Sequence, residues 1–251
     1  MILMGYKSNF IINALGGESS PKVRLSVSDI NIVFDGDSIT DGNNNCGTLE
    51  NRFPSEMSKI ILPLCKTFTY DTVAVGGQTT KNMLRGDFTD ASTKVVAGKV
   101  NVLVASESVN AILNYDLKGD INGAATAQIN FNDFTLYDEK MRLAGYDYII
   151  RWTCFYPRKI NASDYNRAEW TQQVRDRQTE YFNLVKSADN TGINKTWDAY
   201  TDLRDSPLLG GEENQIKDSL YFSDSVHLFC DGYKALAEYV YETGFLQLFQ
   251  E

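Results

Sequence analysis

An α/β fold, with a parallel sheet covered by helices on both faces, is the architecture the sequence predicts. Short apolar runs with a buried-strand pattern, such as residues 31–34 and VNVLVA at 100–105, alternate with longer amphipathic ones. Gly-containing turns, GDSITDG and Gly76-Gly77, follow the first two of these runs. The final amphipathic run keeps Tyr233, Leu236, Ala237 and Val240 on one helical face.

Taken in order, residues 31–34 form the first strand and residues 52–62 a helix stopped by Pro63. Residues 68–75 form the second strand, residues 100–105 the third and residues 146–155 the fourth, with a helix over 124–144 between the last two. Ser163 is placed to cap a long helix reaching about Ala188, with Tyr165, Ala168, Val174, Phe182 and Val185 facing the core. A short fifth strand falls near residues 195–198, and Asp231 is placed to cap the last helix. In a parallel sheet, chemistry collects beyond the carboxyl ends of the strands.

The 251 residues are 43% apolar and 23% charged, which describes an ordinary globular chain and suits one domain over residues 28–251. Residues 1–27 show no clear period and read as an N-terminal extension of unknown role. A net charge of −9 argues against nucleic acid and against an anionic membrane surface as partners. No apolar run approaches the roughly 18 residues of a membrane span, and the N-terminus has no clear signal-peptide pattern. The chain is therefore not placed in a compartment, although a secreted or virion- or envelope-associated setting fits. Cys46, Cys65, Cys154 and Cys230 are scattered with no CxxC pair. Disulfides are allowed but not implied, and Cys154 and Cys230 read as small buried hydrophobes.

The strand ends carry the functional signal. Ser38 sits in a strand-to-helix turn, where a hydroxyl is exposed at the top of the sheet. A serine hydroxyl needs a base to become a nucleophile. The sole histidine, His227, lies three residues after Asp224 in Asp224-Ser225-Val226-His227, a spacing that lets the carboxylate fix the ring's tautomer.

Together, GDSIT after strand one, VAVGGQTT after strand two, Asn110 after strand three and DSVHL before the last helix resemble the SGNH (GDSL) hydrolase family, in order over residues 31–240. The resemblance implies a three-layer α/β/α flavodoxin-like sandwich on a parallel sheet of about five strands. It also implies ester hydrolysis through an acyl-enzyme, with no cofactor and no metal. Ser38 matches the nucleophile, His227 the general base and Asp224 its orienting carboxylate. The backbone N–H groups of Ser38 and Gly77 and the side-chain amide of Asn110 match the oxyanion hole.

Block three departs from the family's Gly-x-Asn-Asp. It reads Ser108-Val109-Asn110-Ala111, which adds a side chain in the turn and removes a supporting carboxylate. Glu107, three residues before Asn110, resembles the E-x-x-N-D form of a subgroup and is a candidate substrate contact. Tyr221, ahead of the Asp-His loop, is a second candidate. The substrate expected is a short-chain ester, an O-acetyl group on a carbohydrate or cell-surface polysaccharide, as in bacterial and phage proteins that act on such glycans. The oligomeric state is left open. Lipase or thioesterase activity is the alternative within the family, and a non-catalytic carbohydrate-binding or structural module is the alternative outside it. Asp35 and Asp37 also fit the D-x-D of a Mg²⁺-dependent phosphatase, but that reading leaves the Asp-His loop without a role. Asp35, Asp37 and Asp41 otherwise read as turn-forming residues.

Overall fold

The computed structural model describes residues 28–42, 46, 48–106, 109–113, 126–154, 172–210 and 226–250. Five strands form one all-parallel sheet: β1 (Asp29–Gly36), β2 (Thr67–Thr72), β3 (Val100–Ser106), β4 (Tyr148–Thr153) and β5 (Ala199–Asp202), in the order β2-β1-β3-β4-β5. Strands β1, β3 and β4 are buried almost throughout, which is why they read as apolar runs. The edge strand β2 is mostly exposed and correspondingly richer in Thr.

Helices α2 (Phe53–Ile61) and α7 (Cys230–Val240) pack together on one face. Helices α3 (Thr80–Arg85), α5 (Ala127–Ala144) and α6 (Gln172–Thr191) pack together on the other. The one-turn α1 (Ser38–Asp41) and the short α4 (Val109–Leu113) follow β1 and β3, and α8 (Leu246–Gln250) ends the chain after a π-turn. The expected three layers are therefore present. Tyr233, Leu236, Ala237 and Val240 of α7 and Phe182 and Val185 of α6 are buried as their spacing predicts. Ser163, Tyr165 and Ala168, and residues 1–27, lie outside the described residues.

Three expectations need correction. The fifth strand begins after residues 195–198, because Lys195, Thr196 and Trp197 bond to helices and contact with β4 starts only at Asp198, whose N–H donates to the Ile149 carbonyl at 2.8 Å. Thr196 Oγ1 donates to Asp138 at 2.7 Å, Trp197 Nε1 donates to Asp189 at 2.9 Å, and the Asp198 carboxylate accepts the Ile149 N–H at 2.7 Å. Asp231 lies in the first turn of α7 and does not cap it. Phe229 holds the cap position without a side-chain bond. Cys230 is no isolated hydrophobe, since it forms a disulfide with Cys46 across 184 residues of sequence. Cys154 is buried, as expected, and neither it nor Cys65 is in a disulfide.

Candidate active site

The strand order reverses about β1, which lies between β2 and β3, and a crevice opens beyond the carboxyl ends at such a point. Strand β1 delivers Ser38 there. Its last residue must be glycine: a Cβ on Gly36 would stand 2.1 Å from the Ser106 carbonyl oxygen and 2.3 Å from Thr40 Oγ1. That close approach brings the ends of β1 and β3 together. Asp37 then caps the turn, its Oδ1 accepting the Ile39 N–H at 2.8 Å.

The second block runs alongside β1 after regular pairing with β2 ends. Val73 N–H donates to the Phe34 carbonyl at 2.9 Å and Val75 N–H to the Gly36 carbonyl at 3.0 Å. The chain reverses at Gly76-Gly77, where Gln78 N–H donates to the Val75 carbonyl at 3.0 Å. Gly77 has φ +78°, which a type II turn requires at that position and which glycine adopts without a Cβ clash. The turn lies against the nucleophile block, since a Cβ on Gly76 would be 3.7 Å from that of Ser38. Thr79 then caps α3 in a reciprocal capping box with Asn82.

Beyond β3, α4 presents Asn110, whose Nδ2 donates to the Gln78 carbonyl at 3.1 Å. Ahead of α7, Val226 and Leu228 are buried on either side of the half-buried His227, anchoring the segment that carries it. His227 Nε2 lies 3.0 Å from Ser38 Oγ, within hydrogen-bond reach of a nucleophile and its base. The disulfide joins the stretch after α1 to the start of α7, so one covalent link ties the serine-bearing and histidine-bearing segments together.

Two buried carboxylates lie beneath this arrangement. Burial raises Asp35 to about 6, against the opposing pull of hydrogen bonds from Tyr137, Gln78 and Gly36. Burial also raises Asp37 to about 6, opposed by the Ile39 N–H and by the charge of His227. Asp35 is no turn residue, because it sits inside β1 with both oxygens engaged. Oδ2 accepts the Tyr137 hydroxyl at 2.5 Å, and Oδ1 accepts Gln78 Nε2 and Gly36 N–H, each at 2.8 Å. A carboxylate so enclosed is unable to attack phosphate, which removes the phosphatase reading. Asp41 pairs with Arg52 at 3.5 Å on the far side of the turn.

The structure thus brings Ser38, His227, the Gly76-Gly77 turn and Asn110 to one end of the sheet. Asp224, Glu107 and Tyr221 lie outside the described residues. Sequence reasoning missed Gln78 and Tyr137. The only local signal was a Gln directly after the glycine pair, and nothing near Tyr137 in sequence distinguishes it from a core aromatic.

Comparison of the sequence with protein-family models and with curated proteins finds no match. Solved structures do match. A GDSL-like lipase from Parabacteroides merdae aligns over 89% of this chain and 98% of its own, at 16% identity and a TM-score of 0.61. Axe2, an acetylxylan esterase from Geobacillus stearothermophilus, aligns over 87% and 95% respectively, at 16% identity and a TM-score of 0.61. TesA aligns over 87% and 99%, at 14% identity and a TM-score of 0.58. With its parallel sheet and the serine at the first strand's end, this chain has the SGNH, or GDSL-type, hydrolase fold.

Proposed function

We propose that the chain is a serine esterase that removes short acyl groups, O-acetyl groups in the first place, from a carbohydrate or cell-surface polysaccharide. The observation that carries the reading is the 3.0 Å contact between Ser38 Oγ and His227 Nε2 at the point where the strand order reverses. His227 Nε2 takes the Ser38 proton as the oxygen attacks the ester carbonyl. The Ser38 and Gly77 backbone N–H groups and the Asn110 amide receive the developing oxyanion. His227 then gives the proton to the departing alcohol and afterwards activates the water that releases the acid. Asp224 is assigned to hold the imidazole, and Glu107 and Tyr221 to contact the substrate.

The acetyl preference draws support from the fold shared with an acetylxylan esterase. The Cys46–Cys230 disulfide supports an oxidising setting, outside the cell or on a virion or envelope.

The test is fluorophosphonate labelling read by intact mass on wild type and Ser38→Ala, with hydrolysis of p-nitrophenyl acetate and of a long-chain ester. One adduct lost with Ser38, preference for acetate, and at least about a thousandfold loss of turnover in His227→Ala are expected. Efficient cleavage of long chains only would move the assignment to a lipase or thioesterase. Absence of both adduct and turnover would leave the binding-module alternative.

A further inference from the structure

In this chain the usual carboxylate after the block-three asparagine is replaced by Ala111, which is buried, so the Asn110 amide must be held another way. The structure shows what holds it. Asn110 Nδ2 donates to the main-chain carbonyl of Gln78 at 3.1 Å. The side chain of that same Gln78 is buried, and its Nε2 donates to Asp35 Oδ1 at 2.8 Å and to the Gly36 carbonyl at 3.0 Å. Asp35 is fixed in turn by the Tyr137 hydroxyl of α5 at 2.5 Å and by the Gly36 N–H at 2.8 Å.

One buried carboxylate, three residues before Ser38, therefore anchors the end of β1 and the turn that carries Gly77, and through Gln78 it reaches Asn110. We infer that Gln78, Asp35 and Tyr137 are positioning residues for the oxyanion hole, acting through the Gln78 carbonyl on the Asn110 amide. The inference rests on the esterase reading above. All three side chains are buried, so their effect is exerted through the groups they hold. Buried polar groups with fixed partners define geometry narrowly, because any other arrangement leaves a donor or acceptor unmet. A displacement of about 1 Å at a reacting centre costs on the order of a hundredfold in rate.

The experiment uses the full chain with Gln78→Met, Tyr137→Phe, Asn110→Ala and the double variant Gln78→Met/Asn110→Ala. Gln78→Met should lower kcat for p-nitrophenyl acetate roughly ten- to a hundredfold with KM changed less than about threefold, and Tyr137→Phe should do so more weakly. In the Asn110→Ala background the Gln78→Met loss should shrink to under about threefold, because the group being positioned is gone. Equal losses in both backgrounds, or unchanged kcat in Gln78→Met, would overturn the inference. A merely structural role would lower the melting temperature yet leave the losses multiplicative.

An arm independent of turnover follows the Asn110 side-chain amide by NMR. Its hydrogen exchange should be slow in wild type and accelerate in Gln78→Met. Unchanged exchange overturns the proposed linkage even in an active enzyme. A wild-type chain with no labelling and no turnover would instead remove the esterase reading, while the exchange data still report whether Gln78 holds the amide.

Discussion

Phe34, Phe53 and Trp152 fill one face of the sheet with aromatic edges, their ring centroids 5.5 and 5.6 Å apart in successive T-shaped contacts. The opposite face buries Asp35 and Arg151 against α5 and α6, and Asn31 and Asn101 against the segment at residues 94–99. Each of these meets a polar partner. Asn31 Nδ2 donates to Asn101 Oδ1 at 3.1 Å, and Arg151 Nη2 donates to the Tyr181 hydroxyl at 2.9 Å. The Arg151 guanidinium also lies 3.8 Å from the Phe134 ring centroid, 4.5 Å from that of Trp197, and 3.6 Å from Asp138 Oδ2. Apolar burial is strong but non-directional, so the aromatic face contributes cohesion. Buried polar groups are tolerated only in particular arrangements, so the polar face contributes placement. The candidate site divides the same way: His227 arrives with α7 from the aromatic side, and Gln78 and Asn110 arrive from the polar side.

Mutations that remove one group from each face test this division. Arg151→Ala should have the largest effect, a loss of stability approaching about 5 kcal/mol in urea unfolding, because it strands the Asp138 carboxylate and removes the cation from two rings. A loss below about 1 kcal/mol would show that the polar face is not specified by this pair. Phe53→Ala should cost about 4 kcal/mol through the cavity it leaves, while the rate of Ser38 labelling per folded molecule stays near wild type. A marked fall in that rate would mean that the aromatic face also sets the site.

Changing pH addresses mainly the polar side. Asp35, Asp37 and Asp138 are each raised by burial from 3.8 to about 6, with Arg151 and Thr196 opposing the rise at Asp138. Between those values the folded chain keeps protons that the unfolded chain releases. Stability from these groups therefore declines as pH rises from about 4 to about 6 and is level above, by on the order of 3 kcal/mol per group. Asp90 has the opposite sign. Burial pushes it up, but its bonds with Lys140 and Ser92 outweigh that and hold it low, so its contribution is lost as pH falls below its usual range. Urea midpoints at pH 4.5 and 7 should differ in favour of the lower pH. Greater stability at pH 7 would contradict buried, ionised carboxylates on this face.

Strands β1, β3 and β4 and the buried stripes of α6 and α7 were legible because apolar periodicity is a local property of the chain. Ser38, the Gly76-Gly77 turn, Asn110 and His227 were legible because their chemistry is concentrated in short segments at strand ends. Asp35 was misread because Asp in a Gly-rich stretch usually marks a turn, and nothing near it in sequence shows that Tyr137 and Gln78 will solvate it in the interior. The start of the fifth strand was misplaced because Thr196 and Trp197 bond to helices, a competition that propensity does not register.

By itself, the sequence determined the layered α/β architecture and the order of the four blocks, since both follow from patterns a few residues long. Only the tertiary structure decided the pairing of Cys46 with Cys230, 184 residues apart, and the bonds from Asp35 to Gln78 and Tyr137 across 43 and 102 residues. The physical reason is that these contacts depend on which strand ends the sheet order places side by side. A buried carboxylate or thiol takes whichever partner the fold brings within reach.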